Sequence, residues 1–280
     1  MKLAAVVVFY NPSEKNIQNI QKYEKSINRL FIVDNSDDDI VRYKDTKKIK
    51  YIKFGENKGI AYALNIGAKE AIHEGFNWLL TLDQDSQITS KIIENLKEYL
   101  TSHDTKNIGL ISPYHDIQSD EEVKNITAEE MIEVMTSGNI LNLEAYQKIG
   151  GFKDWLFIDC VDTDYCMNLN IHGYKVLRLN KIKMKHHLGN VKIHTLFGKK
   201  YPCYNHGPIR RYYIVRNNFY INQIYHNKYP DYCEHLLRVQ RGQVKRILAF
   251  EKNKVKKLIM MYRGYKDFKK GIKGKCPYIN

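Results

Sequence analysis

The sequence lacks any apolar segment long enough to cross a membrane. Its longest uninterrupted apolar run covers residues 3–10, eight residues, whereas a spanning helix needs about 20. Asn11 and Pro12 follow this run directly, without the small residues of a signal-peptide cleavage site. We therefore predict that residues 3–10 form a buried first strand rather than a targeting segment.

Paired cysteine motifs and two common nucleotide-binding motifs are also missing. The cysteines are five in number with no C-x-x-C, which argues against a disulfide scaffold or a zinc site and favours a reducing compartment. They are Cys160, Cys166, Cys203, Cys233 and Cys276. Neither G-x-G-x-x-G nor G-x-x-x-x-G-K-[ST] occurs, so a dinucleotide-binding domain and a P-loop kinase are both unsupported.

Positive charge is present and is concentrated near the C-terminus. The chain of 280 residues, 43% hydrophobic, has a net charge of +14 and is long enough for one large domain with an appendage. Residues 236–275 contain 14 Lys and Arg against two acidic residues, a local charge of 14 − 2 = +12. So local an excess predicts an anionic partner for this region.

Short apolar runs alternate with helical periodicity along the first 112 residues. The predicted strands are residues 2–10, 30–33, 50–54, 78–82 and 108–112. Apolar residues at helical spacing lie between most of these runs. Such β-α-β-α alternation predicts an α/β fold with a mostly parallel sheet and flanking helices.

Each of the first four predicted strands ends in polar residues. These include Asn11, Asp34, Lys58, Asp83 and Asp85. The carboxyl ends of strands in an open α/β sheet meet at one rim, where ligands bind. A rim with amides, a lysine and carboxylates is suited to a nucleotide with its metal ion.

The fourth strand leads into Asp83 and Asp85, a D-x-D pair. Residues i and i+2 of a strand point to the same side, and two carboxylates suit Mg²⁺ or Mn²⁺ bound together with substrate phosphates. A surface turn is the alternative, since Asp is common in turns.

A second acidic group comprises Asp159, Asp162 and Asp164. Apolar neighbours could desolvate Asp162 and raise its pKa toward the range of a general base. If residues 161–171 form a helix, its first-turn acids could instead act only by stabilising the helix dipole.

Basic and imidazole side chains follow this acidic group. Of His186 and His187, at most one faces a given site, and a neutral imidazole is a frequent metal ligand. Arg211 and Arg216 are placed to bind a diphosphate or an anionic sugar, unless they belong to a solvated helix start.

From residue 219 onward the sequence is helical and basic. An apolar stripe with lysines around it consists of Val255, Leu258, Ile259, Tyr262, Tyr265, Phe268 and Ile272. Such a helix is typical of membrane-surface elements. The alternative is a helix whose stripe packs on the main domain and whose lysines face solvent.

The ordered set of motifs resembles one known family. VVVFYNP, VDNS, LDQDS, TSGN, GGF, FIDCVDTDYC, HHLG and RRYYIVRN occur in this order. The set resembles the GT-A inverting glycosyltransferases of family 2, and their bacterial rhamnosyltransferase-like branch in particular, over residues 3–218. The resemblance implies a GT-A domain at residues 1–218 and a basic helical C-terminal region at residues 219–280.

The same resemblance implies roles for individual residues. The metal ligands would be Asp83, Asp85 and His187, holding Mn²⁺ or Mg²⁺. Nucleotide contacts would come from Tyr10, Asn11, Asp34, Lys58, Asp83, Arg211 and Arg216. Asp162 would be the general base with Asp159 as its competitor, and Trp155 and Asp159 would contact the acceptor. Asn168 stands where the family often has an arginine, which removes one expected contact.

The resemblance implies transfer of a sugar from a nucleotide-sugar donor to a glycan or lipid-diphosphate-linked acceptor, in cell-surface polysaccharide synthesis. The branch favours rhamnose from dTDP-rhamnose; a UDP-hexose donor is the alternative. A nucleotidyltransferase would need a glycine-rich basic loop where residues 11–14 read Asn-Pro-Ser-Glu.

Partners and location complete the expectations. A nucleic-acid-binding protein using the basic region is the alternative from another class, but no recognisable nucleic-acid module is present, so we expect no nucleic-acid partner. We expect a cytoplasmic enzyme, peripheral at the inner face of the plasma membrane through its basic helices. A homodimer is left open.

Overall fold

The computed structural model describes residues 1–117, 127–185, 191–196 and 198–278. Contacts divide the chain into two compact units. Unit 1 comprises Met1–Asp154 and Val161–His186, and unit 2 comprises Trp155–Cys160 and His187–Asn280. This grouping places residues on both sides of position 218 in unit 2, and the functional division at residue 218 stays a prediction.

Unit 1 is a sheet with helices. Its strands are β1 (Ala4–Phe9), β2 (Arg29–Asp34), β3 (Ile49–Lys53), β4 (Trp78–Asp83), β5 (Ile108–Asp116), β6 (Ala128–Glu130), β7 (Asn139–Asn142) and β8 (Lys175–Lys185). Its helices are α1 (Glu14–Asn19), α2 (Ile60–His73), α3 (Ser90–Ser102), α4 (Leu143–Ile149) and α5 (Val161–Ile171). Short 3₁₀ turns cover Ile20–Lys22 and Glu24–Ser26. A third, Asp154–Leu156, has its first residue in unit 1 and the other two in unit 2.

The eight strands form one mixed sheet in the order β3-β2-β1-β4-β7-β5-β8-β6. β1 pairs in parallel with both β2 and β4, and β2 pairs in parallel with β3. β7 is antiparallel to both of its neighbours, β4 and β5. β5 and β8 are again parallel, and β6 closes the edge antiparallel to β8.

All five predicted strands are present, and the α/β class with a mostly parallel sheet is confirmed. The sequence did not indicate that β7 separates β4 from β5. β7 has four residues, too few for a periodicity to be recognised. β6 (Ala128–Glu130) lies at the edge of the sheet, and residues 118–126, which precede it, lie outside the described residues.

The core of unit 1 forms around the central strand β1. All six of its residues are buried, as expected for a strand covered on both faces. α2 can pack closely on it because Gly67 faces Val6, where a Cβ would come within 2.3 Å of a Val6 methyl carbon. The predicted buried first strand is thus present as Ala4–Phe9, whereas Tyr10 beyond its end is exposed.

The described residues of unit 2 form a hairpin and three helices. The hairpin pairs β9 (Lys192–Leu196) with β10 (Lys199–Cys203). The helices are α6 (Pro208–Tyr225), α7 (Pro230–Phe250) and α8 (Lys254–Lys269). Phe157, Tyr212, Tyr213, Met260 and Cys276 form a buried cluster between α6, α8 and the adjoining segments.

No helix among the described ranges is both long and apolar enough to span a bilayer.

All five cysteines have free thiols, and four of them are buried. The prediction that they form no disulfide scaffold is therefore confirmed.

The close packing of α6 on α8 depends on one glycine. A Cβ at Gly264 would lie 2.4 Å from the backbone oxygen of Tyr212. This steric clash could be relieved only if the two helices moved apart. We expect Gly264→Ala to lower the free energy of unfolding by about 1–3 kcal/mol. Denaturant unfolding monitored by circular dichroism measures this change.

Gly242, inside α7, is the matched control. A Cβ there would meet no heavy atom of the described residues within 4 Å, so Gly242→Ala should stabilise the helix by about 0.5–1 kcal/mol. Equal effects of the two substitutions would contradict the close-packing role of Gly264.

Candidate active site

The strand ends of unit 1 are tied together by hydrogen bonds. The amide of Tyr10, after β1, donates to Gln84 Oε1 after β4, at 2.9 Å. The next amide, of Asn11, donates to Ser36 Oγ after β2, at 2.8 Å. The amide of Lys58, after β3, donates to Asn35 Oδ1 at 2.7 Å. These hydrogen bonds hold the loops after β1, β2, β3 and β4 next to one another. The ends of these strands therefore form the predicted common rim.

Three rim side chains face solvent. Tyr10 is 45% exposed, and its hydroxyl donates to Asp37 Oδ2 at 3.2 Å. Asn11 is exposed in a left-handed conformation with φ 45°, which Asn tolerates better than most residues. The ammonium of Lys58 lies 5.4 Å from the centre of the Phe54 ring. Their contacts with a nucleotide stay a prediction.

Asp34, at the end of β2, is completely buried. It accepts hydrogen bonds from the amide of Ser36 at 3.0 Å, from Tyr51 Oη at 2.5 Å and from Arg42 Nη1 at 2.9 Å. Burial favours the neutral carboxyl, but these donors outweigh it and hold the pKa of Asp34 below its ordinary value. Asp34 is thus a charged, internally satisfied group just below the rim.

The D-x-D pair is arranged differently from the strand geometry expected. β4 ends at Asp83, and the amide of Ser86 donates to the Asp83 carbonyl at 3.1 Å, so Asp85 lies in a turn. The two carboxylates are therefore not related by strand alternation. Asp83 is half-buried and Asp85 is exposed, which leaves the Asp85 oxygens accessible to a ligand.

A divalent cation fits the chemistry of this donor set. Within residues 1–117, 127–185, 191–196 and 198–278, no cluster of three or more His, Cys, Asp or Glu is placed to hold a metal ion. The carboxylates of Asp83 and Asp85 could supply protein ligands and the substrate phosphates the rest, as is usual for Mg²⁺. His187, the further predicted ligand, lies outside the described residues.

The TSGN segment, residues 136–139, is hydrogen-bonded to this turn and to the strands beside it. Ser137 Oγ hydrogen-bonds Ser86 Oγ directly after the D-x-D pair. Thr81, on β4, donates through its hydroxyl to the Thr136 carbonyl at 2.7 Å. His115 Nε2 lies 2.6 Å from the Ser137 carbonyl oxygen. The segment therefore fixes the D-x-D turn relative to β5, and its glycine, Gly138, has φ 85°.

Asp162 lies in the first turn of α5 and lines a pocket of about 390 Å³. It is half-buried, and one carboxylate oxygen, Oδ1, accepts the Thr163 amide at 3.0 Å. The polar residues lining this pocket are Tyr114, His115, Glu133, Asp162, Thr163 and Arg178. We call it the Asp162 pocket. Its volume is in the range of pockets that bind small molecules.

The loop that leads to this site is held by Asn65 of α2. Asn65 Nδ2 donates to the Phe152 carbonyl at 2.7 Å, and Asn65 Oδ1 accepts the Phe152 amide at 3.0 Å. Gly151 adopts φ 70°, and a Cβ there would come within 2.7 Å of the Tyr146 ring. The GGF motif is therefore a tightly packed turn.

Asp159 belongs to unit 2 and sits in a strained backbone segment. Phe157, Asp159 and Cys160 all have left-handed φ angles between 62° and 65°, which non-glycine residues rarely adopt. Asp159 Oδ1 accepts from Arg210 Nε and Nη2 at 3.1 and 3.0 Å, whereas Oδ2 is buried and has no hydrogen-bond partner within the described part of the chain. Burial raises the pKa of Asp159 against the opposing effect of Arg210.

Arg211 and Arg216, predicted to bind a diphosphate, are both buried. Arg211 Nη2 pairs with Glu251 Oε1 at 2.8 Å. Arg216 Nη1 donates to the Gly274 carbonyl at 2.7 Å, and its guanidinium lies 5.1 Å from the Tyr213 ring centre. A solvated helix start, the alternative reading, is therefore wrong. Both arginines hold unit 2 together, and their contact with a diphosphate stays a prediction.

Trp155, the predicted acceptor contact, is half-buried in unit 2. The Lys273 ammonium lies 4.6 Å from the centre of its ring, and Tyr220 packs against it edge-on with ring centres 5.0 Å apart. A role in acceptor binding stays a prediction.

Sequence reasoning missed several residues of the site. Gln84, between the two aspartates, had a usable signal, because an amide inside a strand-end cluster can hold a neighbouring loop. Glu133 and Arg178 had none. They lie 45 residues apart and line one pocket only because β6 pairs with β8.

A family model and a related protein both match more than half of this chain. The model of the family described as Glycosyl transferase family 2 matches residues 5–165, which include the rim, the D-x-D pair and Asp162. A dTDP-rhamnosyl transferase, RfbF of Shigella flexneri, is 32% identical over 236 residues, covering 77% of this chain and 78% of that protein.

Solved structures with a similar fold are more distant in sequence. S. aureus TarS, residues 1–349 in complex with UDP-GlcNAc, superimposes with a TM-score of 0.57 at 14% identity, covering 97% of this chain and 82% of that chain. GalNAc-T7 with UDP, GalNAc and Mn²⁺ gives a TM-score of 0.54 at 11% identity, covering 97% of this chain and 56% of that one. These likenesses establish the GT-A fold.

Proposed function

Because the chain belongs to glycosyl transferase family 2, and is thus a nucleotide-sugar glycosyltransferase, we propose that it transfers rhamnose from dTDP-rhamnose to a glycan acceptor. The observation that carries the donor assignment is the 32% identity to a dTDP-rhamnosyl transferase over most of both chains. The rim of strand ends also supports binding of a nucleotide sugar, because the rim presents accessible polar groups where an α/β sheet binds ligands.

The reaction is a single displacement with inversion. The acceptor oxygen forms a bond to the anomeric carbon while the bond from that carbon to the diphosphate oxygen breaks. Asp162 accepts the proton of the attacking hydroxyl, which its position in the wall of a pocket favours. Asp83 and Asp85 would hold a Mn²⁺ or Mg²⁺ ion, which would neutralise charge on the departing diphosphate.

Donor binding is tested by thermal shift with dTDP, UDP and GDP, each with and without Mn²⁺. We expect dTDP with Mn²⁺ to raise the melting temperature, because a ligand at 100 times its Kd stabilises by about 2.7 kcal/mol. Asp85→Ala should abolish the metal-dependent part. Asp104→Ala removes an exposed carboxylate after α3 and should leave the shift unchanged.

Other outcomes of this experiment are equally informative. A shift with UDP alone would replace dTDP-rhamnose by a UDP-hexose as the donor. The absence of a shift with all three nucleotides would contradict the proposed donor site.

The basic helices of unit 2 provide a surface for an anionic membrane. α8 packs on α6 with Lys257, Met260, Met261, Gly264 and Asp267, all of which are buried. The expected apolar stripe is therefore only partly used for packing: Leu258 and Phe268 are half-buried, and the Phe268 ring stacks on Phe219 of α6. Val255, Ile259 and Tyr262 are 70%, 47% and 61% exposed.

These three residues follow i, i+4, i+7 spacing, so they share one face of α8. Exposed lysines surround them, namely Lys256, Lys266, Lys269 and Lys270. Apolar side chains that insert, with cations that reach anionic headgroups, are the features of interfacial helices. Docking would place the enzyme next to an acceptor carried on a lipid diphosphate. A homodimer stays a prediction.

A further inference from the structure

A second pocket of unit 1 lies at the edge of the sheet opposite to the rim, where β4, β5 and β8 begin. It has a volume of about 660 Å³, in the range of pockets that bind small molecules. Among its lining residues, Trp78 is the first residue of β4, and Asn107 and Tyr174 directly precede β5 and β8. Trp78 and Asp83 are five residue steps apart along β4, and steps of about 3.3 Å place this pocket about 17 Å from the rim. We call it the Trp78 pocket.

One part of the wall of the Trp78 pocket is aromatic. Trp78 is half-buried and packs against the core of unit 1. Its indole N–H donates to no group among the described residues, although a buried or half-buried tryptophan usually has a partner for this donor. Tyr174, also half-buried, lines the same pocket. The pocket therefore offers an apolar ring fixed by the core, together with a hydrogen-bond donor that is not yet used.

The rest of the wall is polar and contains both donors and acceptors. The side-chain amides of Asn77 and Asn107 and the ammonium of Lys106 are exposed, and within the described ranges they make no hydrogen bond or ion pair. His172 Nδ1 lies 2.8 Å from the carbonyl oxygen of Asn168. Because a carbonyl oxygen can only accept, Nδ1 is the donor, and Nε2 of the neutral imidazole is left as an acceptor.

The charges in this wall largely compensate one another. Lys148 Nζ pairs with Glu144 Oε1 at 2.8 Å, and it also hydrogen-bonds the side chain of Tyr174. The ammonium of Lys106 is thus the charge in the described wall that has no counter-ion there. A single lysine beside the Glu144 carboxylate is a weak attraction for an anion, because surface charges in water are well screened.

We propose that the Trp78 pocket is a second glycan-binding site, remote from the rim, that takes a neutral saccharide. Sugar hydroxyls both donate and accept hydrogen bonds, so they can use the amides, the ammonium, the indole N–H and the imidazole together. The apolar C–H face of a sugar ring can pack on the face of Trp78. An anion could use only the donors and would meet the Glu144 carboxylate, which disfavours it.

A site about 17 Å from the rim, the length of β4, would hold a part of a glycan that does not itself react. The inference rests on the membership of a glycosyltransferase family, since such an enzyme meets glycan chains, and not on the donor proposed above.

The two tryptophans of the chain, Trp78 and Trp155, allow a direct test. Full-length protein that contains fluorotryptophan should give one fluorine NMR signal for each, and Trp155→Phe identifies the signal of Trp78. The probes are the methyl glycosides of rhamnose, glucose, galactose and N-acetylglucosamine, the trisaccharides maltotriose and chitotriose, and inorganic phosphate. We expect at least one saccharide to shift the Trp78 signal with saturation, and phosphate to leave that signal in place.

Two variants of exposed amides test the wall itself. Asn77→Ala and Asn107→Ala should each raise the Kd of that saccharide by about fivefold, the usual effect of losing one hydrogen bond. Asn227→Ala is the matched control, because Asn227 is exposed between α6 and α7 in unit 2, and it should leave the Kd unchanged. Melting temperatures of the three variants monitor folding.

Three results would overturn the inference: no saturable shift of the Trp78 signal with any saccharide, a shift produced by phosphate at lower concentration than by every saccharide, or a Kd unchanged in both Asn77→Ala and Asn107→Ala. Nucleotide binding, measured on the same samples by thermal shift, reports the donor site separately. A protein that binds nucleotide but gives one of these three results contradicts only the second glycan site.

Discussion

Asp162→Asn is expected to lower the rate of sugar transfer by about 10²–10⁴-fold, the usual contribution of a general base. The amide is nearly isosteric but cannot accept the proton of the attacking hydroxyl. Asp162 lines the 390 Å³ pocket and is half-buried in the first turn of α5. The measurement is nucleotide release in the presence of acceptor, with nucleotide binding followed separately by thermal shift, which should be retained.

Two further variants test whether the loss of activity is specific to Asp162. Asp231→Asn is the matched control, since Asp231 lies in the first turn of α7 and is exposed. It reports any loss of helix-dipole stabilisation and should keep full activity.

Asp159→Asn tests the competing base. Burial raises the pKa of Asp159, as a base requires, but its Oδ1 already accepts two hydrogen bonds from Arg210. Full activity of Asp162→Asn together with inactive Asp159→Asn would transfer the role of base to Asp159.

Replacing the four exposed lysines Lys256, Lys266, Lys269 and Lys270 by glutamine should weaken binding to anionic vesicles by up to about 10³-fold. Each cation near an anionic surface contributes about 1 kcal/mol, so four contribute about 4 kcal/mol, and every 1.4 kcal/mol is tenfold. Co-sedimentation with vesicles of phosphatidylglycerol and phosphatidylcholine measures this effect. Vesicles of phosphatidylcholine alone should bind wild type weakly.

The matched control removes the same charge elsewhere. Lys15, Lys44, Lys69 and Lys91 are exposed in unit 1, and their replacement by glutamine should leave vesicle binding nearly unchanged. Replacing Val255, Ile259 and Tyr262 by serine should weaken binding without altering the charge. Equal losses for the two lysine sets would show that binding follows net charge and not the face of α8.

Local sequence patterns predicted much of unit 1 correctly, because strands such as β1, β2 and β4 are short apolar runs that end at polar residues. In β4, the run ends at the first aspartate of the D-x-D pair, so the pattern located the rim directly. The strand argument failed one residue later, since the chain turns at Gln84 and places Asp85 by turn geometry. Where the backbone leaves a strand, periodicity no longer determines which way a side chain points.

Buried charges were the least predictable feature. Arg211 and Arg216 have the pattern of solvated or phosphate-binding arginines, yet both are enclosed in unit 2, and Lys257 and Glu251 are buried beside Arg211. The same packing leaves Val255, Ile259 and Tyr262 exposed. A helical pattern reports which residues share a face, but which face is buried depends on the neighbouring helix.

The sequence by itself determined the α/β class, the rim of strand ends, the D-x-D pair and Asp162 as a candidate base, because these depend on residues within one strand or one turn. Only the tertiary structure decided that β7 separates β4 from β5, that Glu133 and Arg178 line the pocket of Asp162, and that α8 packs through a face containing a lysine and an aspartate. Each of these features brings together residues that are far apart in the chain. They are stabilised by strand pairing and side-chain burial, which a local sequence pattern does not predict.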